Sequence, residues 1–382
     1  MKNVAIITEY NPFHKGHGIQ IEEIKKMLGG DVRIIAIMSG NTVQRGEVAL
    51  FEKGARAKAA VLHGVNAVFE LPFPYSCACA EIFASAAISI AQRLGNVDHL
   101  VFGSESGDIS YLQRVAERLS SDELAQVLDE ISKKERSLPY FKRRERAYEL
   151  LYKEELSKAP NDILGIEYLR ALSGSASNII PMTYKRQEGY SAGRTRQEIK
   201  DTNESSGLDE IARDVFDGVA RSDGEKLGEL LLQYLRRADI LEVQSVFDMP
   251  MDLGAKMKQE SLKCARYEDF MHALKGTGYT DARIKRELLY LWCGVKDMGR
   301  TPEYTSLLAF DEVGREYLSS IRKTSKIPIL TKSAHYKSLG QDGKRAFEEA
   351  LSAESLFAYS LNEPVSVSDM MKKGPWIKEG SR

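Results

Sequence analysis

Cysteine is scarce in this sequence, which has four in 382 residues: Cys77, Cys79, Cys264 and Cys293. Two of them form a C-x-C pair inside an apolar stretch, with no second cysteine pair nearby. This spacing indicates neither a disulfide framework nor a zinc site. We therefore expect reduced thiols that serve as small buried side chains.

Excess positive charge and long apolar runs are also lacking. The 54 lysines and arginines face 55 acidic residues, for a formal net charge of -1. Global basicity for nucleic-acid binding is therefore excluded, whereas a local basic face is not. No apolar run reaches the roughly 18 residues of a membrane helix. Because Met1-Lys2 leads directly into a strand pattern rather than a signal peptide, we expect a cytoplasmic protein with no membrane partner.

Five short runs rich in Val, Ile and Phe predict buried strands, with helical patterns between the early ones. Strand–helix alternation at about 30 residues per unit is typical of a doubly wound parallel α/β sheet. We predict a five-stranded sheet of this class. Its strands are NVAIITEY (3–10), RIIAIMSG (33–40), AVFELP (67–72), HLVFGSE (99–105) and IIPMTYKR (179–186).

The second half of the chain has a different pattern. Residues 187–206 are polar and rich in turn formers, which is typical of a loop or linker. From residue 207 onward strand patterns nearly vanish and helical periodicity dominates. We therefore expect an α/β domain at 1–190 and a mostly helical domain at 207–382.

The segment His14-Lys15-Gly16-His17 follows the first predicted strand and opens the first predicted helix. It is not a Walker loop, a G-x-G-x-x-G fingerprint or H-E-x-x-H. It matches H-x-G-H, the signature of adenylyl-transferring α/β enzymes, including class I aminoacyl-tRNA synthetases. Two surface histidines near a turn are the simpler alternative.

The position of this motif suits phosphate chemistry. Ligands of open α/β sheets bind at the carboxyl ends of the strands, where a helix N-terminus offers free N–H groups. Histidines at i and i+3 share a helical face, and a glycine allows close approach to the backbone. We therefore expect His14 and His17 to donate to a phosphate whose charge grows during transfer.

Several longer segments together resemble the bacterial tRNA(Met) cytidine acetate ligases. They are EYNPFHKGH, MSGNTVQRGEVALFEKGARAKAAVLHGVNAVFELP, FGSESGD, PNDILGIEYLRAL and IIPMTYKR, with a thinner likeness through TGYTDARIKRELLYLWCGV. The resemblance implies a nucleotidyltransferase or HUP-like fold. It also implies an enzyme that uses ATP to activate acetate as acetyl-adenylate. The acetyl group would then pass to the wobble cytidine of elongator tRNA(Met), forming N4-acetylcytidine.

The resemblance also implies a set of ATP contacts, with His14 and His17 as the catalytic pair. For Asn161 a helix cap after Pro160 is the alternative, and for Gly103 a tight turn. No carboxylate cluster marks a metal site, so any Mg²⁺ would accompany ATP. The implied ATP-binding residues are Ile7, Thr8, Glu9, Tyr10, Asn11, Pro12, Phe13, His14, Lys15, Gly16, His17, Gly18, Ile19, Gln20, Gly103, Asn161 and Arg186.

Two further groups are candidates for binding acetate or RNA. Ser39, Asn41, Gln44 and Arg45 follow the second strand, and their position suggests contact with acetate or with the cytidine. Basic residues near one helix start suit RNA phosphates, although a solvated charged face is the alternative. They are Arg283, Lys285 and Arg286.

One element of the family is not intact in this sequence. The ligases carry a serine-containing turn that opens a helix, roughly S-A-T-x-I-R. Here the chain has Ser191-Ala192-Gly193-Arg194 and, later, a stretched match from Ser205 to Arg213. We interpret the second as an ordinary helix start with acidic first-turn residues, and a remodelled phosphate clamp is the alternative. Altered pyrophosphate handling is therefore expected.

Two other functions stay open at this point. One is an adenylyltransferase for another small carboxylate or for a phosphorylated metabolite, although such enzymes rarely need a long helical half. The other is a nucleotide- or RNA-binding paralogue with impaired catalysis, which the missing second element would favour.

Overall fold

The fold is built on a mostly parallel β-sheet. In this computed structural model, residues 1–135, 138, 140–174, 178–187, 189–363 and 365–379 are described. The strands are β1 Lys2–Thr8, β2 Val32–Ser39, β3 Thr42–Val43, β4 Glu47–Val48, β5 Ala67–Leu71, β6 His99–Ser104, β7 Ile180–Lys185, β8 Thr305–Phe310, β9 Ile329–Leu330 and β10 Trp376–Ile377.

The five predicted strands lie side by side in the order β5-β2-β1-β6-β7, and each neighbouring pair is parallel. The chain runs outward from β1 to β2 and β5, and then returns past β1 to β6 and β7. The doubly wound α/β class is confirmed. The strand order reverses between β1 and β6, and ligands bind at such a switch point.

The predicted number of strands was too low, because the second half of the chain extends the sheet. β8 pairs antiparallel with β5, and β9 and β10 pair parallel with β8. β8 contains only four consecutive apolar residues, LLAF, and periodicity does not distinguish so short a run from a buried helix segment. The division into domains at 1–190 and 207–382 stays a prediction.

Helices of the first half cover both faces of the sheet. Val4 and Ile6 of β1 pack in one core cluster, and Ala5 between them packs in the other, as a period-two strand requires. These helices are α1 Lys15–Leu28, α2 Lys53–Leu62, α3 Ala80–Leu94, α4 Ile109–Leu119, α5 Asp122–Lys134, α6 Tyr140–Tyr152, α7 Pro160–Ser173, α8 Ala192–Thr202 and α9 Glu210–Phe216.

The second half is mostly helical, as predicted, and has its own core around Leu232, Phe270 and Leu288. None of the helices in the described ranges is long and apolar enough to cross a membrane. The helices here are α10 Gly224–Arg237, α11 Ile240–Gln244, α12 Met251–Lys263, α13 Tyr267–Ala273, α14 Asp281–Cys293, α15 Glu312–Ile321, α16 Gln341–Ser360 and α17 Val367–Lys372, with 3₁₀ turns at Tyr75–Cys77 and Ser333–Ser338.

A buried ionic cluster joins the two halves. Lys53 Nζ lies 2.7 Å from Glu70 Oε1 of β5 and 2.8 Å from Glu354 Oε1 of α16. Asn41 Nδ2 donates to the second oxygen of Glu354 at 2.8 Å. The cluster therefore ties α16 to the strand ends that carry the residues of the cleft described next.

Candidate functional site

A cleft of about 480 Å³ opens at the carboxyl ends of β1 and β6, where the strand order reverses. Phe83, Phe102, Leu164 and Tyr168 form its apolar part. The sequence-predicted residues that line it are Ile7, Thr8, Glu9, Tyr10, Asn11, His17, Gln20, Gln44, Arg45, Gly103, Asn161 and Arg186.

His14 and His17 form a reciprocal cap at the start of α1. The Gly16 N–H donates to His14 Nδ1 at 3.0 Å, and the His14 N–H donates to His17 Nδ1 at 3.1 Å. The two rings stack with their centroids 3.8 Å apart. Because each Nδ1 accepts a backbone hydrogen, each neutral ring carries its proton on Nε2. Both rings are therefore fixed as Nε2–H donors.

The surroundings keep both imidazoles neutral. Burial, followed by the charges of Arg186 and Arg196, lowers the pKa of His14 to about 4. Burial, together with the neighbouring His14, lowers the pKa of His17 well below its ordinary value. At physiological pH the pair thus offers neutral N–H donors, and the nearby arginines carry the positive charge.

Gly16 makes room for this cap. A Cβ on Gly16 would come 2.8 Å from His14 Cε1 and 3.0 Å from Tyr190 Cβ. From the sequence we expected this glycine to allow a phosphate to approach the backbone. The structure gives it a different reason, since any side chain would displace the capping imidazole.

Arg186 and Asn161 meet on the opposite wall of the cleft. Arg186 Nη1 donates to Asn161 Oδ1 at 3.2 Å. The N-terminus of α7 is satisfied by Glu105, which accepts from Asn161 N at 3.1 Å and from Asp162 N at 3.0 Å. Asn161 is therefore not the cap that the sequence offered as an alternative. Glu105 fills that role, and sequence reasoning missed it within FGSESGD.

Gly103 at the end of β6 allows Arg186 to cross it. A Cβ there would come 2.8 Å from Arg186 Cγ and from the Tyr184 ring. The missing side chain thus gives the arginine its path into the cleft.

The serine turn that the sequence seemed to lack is present at Ser191. Ser191 caps α8 by accepting from Arg194 N at 3.2 Å, and it lines the cleft with Ala192 and Gly193. Arg196, five residues after the serine, also lines the cleft and donates through Nη1 to Asn11 O at 2.8 Å. The expected loss of this element is therefore corrected. Ser191-Ala192-x-x-x-Arg196 has the spacing of S-A-T-x-I-R, with Arg196 rather than Arg194 at the arginine position.

The second stretch, Ser205 to Arg213, lies behind the motif rather than in the cleft. Asp209 caps α9 by accepting from Ala212 N at 2.9 Å, and it contacts His63 Nε2 at 2.8 Å. His63 in turn stacks on Phe13 with centroids 4.2 Å apart. The interpretation as an ordinary helix start agrees with this geometry, in which Asp209 is the capping residue.

Glu9 fixes the β3–β4 hairpin against the cleft. Its partly buried carboxylate accepts from Gln44 N at 2.8 Å, and its backbone oxygen accepts from Arg56 Nη1 at 2.5 Å. Burial raises the pKa of Glu9, although the Gln44 hydrogen bond and nearby arginines oppose the shift. This anchor brings Gln44 and Arg45 into the cleft.

Several predicted residues lie away from the cleft. Ser39 is fully buried, and Asn41 Oδ1 accepts from Lys53 N at 2.6 Å within the ionic cluster. In the H-x-G-H segment, Lys15 Nζ donates to Ser206 O at 2.9 Å. The residues of this segment that do not line the cleft are Pro12, Phe13, His14, Lys15, Gly16, Gly18 and Ile19.

The three basic candidates of α14 have separate environments. Arg283 pairs with Asp248 at 2.9 Å and with Glu287 at 2.6 Å. Arg286 Nη1 lies 3.4 Å from Cys77 O. Lys285 pairs with Glu47 beside the hairpin. The sequence suggested that these three side chains share one RNA-facing surface, but each of them contacts a different part of the protein.

No metal-binding group was found in the described ranges: they contain no cluster of three or more His, Cys, Asp or Glu side chains arranged to hold an ion.

Comparisons with known proteins agree on one family. Residues 1–372 match the family described as HIGH Nucleotidyl Transferase. The tRNA(Met) cytidine acetate ligase of Caldicellulosiruptor saccharolyticus is 34% identical over 395 residues, or 95% of each chain. That of Fervidobacterium nodosum is 31% identical, covering 97% of this chain and 94% of its own. A crystal structure of Thermotoga maritima TmcAL bound with alpha-thio ATP matches with a TM-score of 0.90 and 29% identity, over 99% of this chain and 100% of that one.

Proposed function

This chain belongs to the tRNA(Met) cytidine acetate ligases within the HIGH nucleotidyl transferase family, and on that premise we propose how it acts. It is an ATP-dependent ligase that activates acetate as acetyl-adenylate. It then transfers the acetyl group to the wobble cytidine of elongator tRNA(Met). The relative of known structure with bound alpha-thio ATP supports ATP as the activating substrate.

The observation that carries this proposal is the neutral Nε2–H donor of His17, which lines the cleft at the switch point next to the Ser191 helix start. One helix N-terminus carries His14 and His17, and a second carries Ser191. Arg186 and Arg196 flank them with fixed positive charge. Such donors stabilise the charge that develops on a phosphate during transfer.

In the first step an acetate oxygen attacks the α-phosphorus of ATP. The new O–P bond forms, the bond to the β-phosphate oxygen breaks, and pyrophosphate leaves. His17, which lines the cleft, donates to a phosphate oxygen while the His14 ring stacks on it, and Arg186 and Arg196 neutralise charge. Any Mg²⁺ would be bound through the phosphates. No covalent bond to the enzyme forms.

The two parts of the cleft suit the two parts of the nucleotide. Phe102 and Tyr168 contact each other with centroids 5.6 Å apart and supply an apolar wall for a base. Arg45 and Gln44 lie at the hairpin side of the cleft. We assign the acetate to this side, where Arg45 can attract a carboxylate.

The helical residues 207–382 are proposed to bind the tRNA. Arg283 is paired within the protein, so it contributes less to RNA contact than its sequence position suggested. The RNA is proposed to approach the cleft along the exposed end of α14 and the β3–β4 hairpin that α14 contacts.

ATP–pyrophosphate exchange tests the proposal. In the absence of RNA we expect exchange with acetate, and we expect weaker exchange with other carboxylates. Adding elongator tRNA(Met) should then give acetylcytidine. Exchange with acetate but no RNA product would leave an adenylating enzyme with another acceptor. ATP binding without exchange would reduce the protein to a nucleotide binder.

A further inference from the structure

A second pocket lies against the cleft, on the other side of the β3–β4 hairpin. It measures about 240 Å³, and Arg196 lines both spaces. Gln44 and Arg45 at the hairpin tip line the cleft, whereas Gly46 and Glu47 line this pocket. We call it the base pocket. A molecule bound here would lie next to whatever occupies the cleft.

The floor of the base pocket is apolar and carries one aromatic ring. Leu227 and Leu231 of α10 contribute its aliphatic surface, together with Val48 of the hairpin. The Tyr267 ring lies against Gly228, where a Cβ would come 2.3 Å from the ring. Flat nucleobases stack on aromatic rings in such surroundings.

The rim of the base pocket holds two carboxylates, Glu47 and Glu225, among cationic donors, and Glu47 is the one at the hairpin beside the cleft. Glu47 Oε1 lies 2.5 Å from Lys285 Nζ, and the two side chains are 36% and 29% exposed, so a ligand can reach both. Burial acts to raise the pKa of Glu47, but the Lys285 hydrogen bond and the charges of Lys285 and Arg196 outweigh it and lower the pKa. Glu47 is therefore an ionised acceptor at neutral pH.

This arrangement complements one base. Cytosine presents the N4 amine as a donor beside the N3 and O2 acceptors, and Glu or Asp accepting from N4 is a known pairing. A carboxylate next to cationic donors matches that edge. Uracil presents a carbonyl oxygen in place of the amine, which the carboxylate would repel.

We propose that the base pocket binds the extruded cytosine of the RNA substrate, with Glu47 accepting from N4, Lys285 donating to the N3–O2 edge and Tyr267 stacking on the ring. This inference rests on the proposed function, because it requires acetyl-adenylate in the cleft. Extrusion is how enzymes reach a reacting base atom.

The transfer step follows from this placement. N4 attacks the carbonyl carbon of acetyl-adenylate, and the new N–C bond forms. The C–O bond to the phosphate breaks, and AMP leaves with the electron pair. N4 releases one proton to water, so the product is the neutral amide.

The first test compares Glu47→Gln with Glu268→Gln, an equal charge change at an exposed residue outside both pockets. Each protein is assayed for acetate-dependent ATP–pyrophosphate exchange and for acetylation of elongator tRNA(Met). We expect Glu47→Gln to keep exchange and to lose about 10–100-fold in acetylation, as for a lost hydrogen bond to a charged group. Glu268→Gln should match the wild type in both assays. Unchanged acetylation by Glu47→Gln would overturn the inference.

Tyr267 provides a second test that does not depend on Glu47. Tyr267→Phe keeps the ring and should acetylate within about twofold of wild type, whereas Tyr267→Leu should lose about tenfold or more while keeping exchange. Equal acetylation by the two variants would overturn the inference. Absence of exchange in the wild type would instead refute the proposed function, and the inference with it.

Discussion

His17 Nδ1 accepts the backbone N–H of His14 at 3.1 Å, and the two imidazole rings stack 3.8 Å apart. This one contact joins the start of α1 to the chemistry of the cleft. The contact caps the N-terminus of α1 and sets the tautomer of His17. It leaves the Nε2–H of His17 free to donate. The H-x-G-H spacing therefore provides a helix cap and, at His17, a phosphate donor in the cleft.

We expect His14→Asn to lower acetate-dependent ATP–pyrophosphate exchange by about 100-fold, because the variant removes the ring that stacks on the His17 donor and a misplaced group costs about that much in rate. Asparagine caps helices well, so the fold should be kept. His335→Ala, at an exposed position far along the chain, is the control and should exchange normally. Near-normal exchange by His14→Asn would remove His14 from the mechanism.

The same histidine should make stability depend on pH. Its pKa is lowered to about 4 in the folded protein, from an ordinary value of about 6.5. The unfolded chain therefore binds the proton first as pH falls, and stability is lost between about pH 6.5 and pH 4. From pH 7.5 to pH 5 this group contributes a loss of about 2 kcal/mol.

Urea unfolding at pH 7.5 and pH 5 measures this loss. The wild type should lose more unfolding free energy on acidification than His14→Asn does, by about 2 kcal/mol. Equal losses in the two proteins would show that His14 does not titrate as its burial requires.

Arg196 should act in adenylation. Arg196→Ala is expected to lower exchange by about 100-fold, because it removes fixed positive charge from the cleft. Arg194→Ala, whose side chain is 71% exposed and pairs with Glu198, should be near wild type. If the two alanine variants exchanged equally well, Ser191-Ala192-x-x-x-Arg196 would not be the second nucleotide element.

The buried ionic cluster should contribute to stability. Glu354→Gln removes one of two carboxylates on Lys53 and should lower the unfolding free energy by about 2–3 kcal/mol. Burial opposes the charge on Lys53, but Glu354 and Glu70 outweigh it and raise its pKa. Lys373→Ala, which breaks a more exposed pair with Glu52, should cost less than about 1 kcal/mol. Chemical denaturation compares the two, and equal effects would contradict the assignment.

Local signals in the sequence were enough to predict the parallel sheet and the side of the cleft formed by the H-x-G-H segment. Short apolar runs alternated with helical patterns, and the spacing of these runs predicted five parallel strands in a doubly wound sheet. The motif at His14 could be placed because it joins one strand to one helix. β8 was missed because its run of four apolar residues, LLAF, has no distinctive period.

Non-local contacts account for what the sequence did not predict. Glu105 satisfies the start of α7 from 56 residues away, and Arg283 is paired with Asp248 from 35 residues away. Neither partner is visible in a linear pattern. Arg196 could have been found, since its distance from Ser191 fits the family spacing. The base pocket requires α10, α13 and the hairpin to meet, which only the folded chain shows.

Mass spectrometry of the RNA shows directly whether the protein acetylates the wobble cytidine of elongator tRNA(Met). Unmodified elongator tRNA(Met) is incubated with the protein, ATP and labelled acetate, and its nucleosides are then analysed. We predict labelled N4-acetylcytidine at the wobble position, and we predict that its formation depends on both ATP and acetate. A protein that exchanges ATP with pyrophosphate yet leaves this cytidine unlabelled would contradict it.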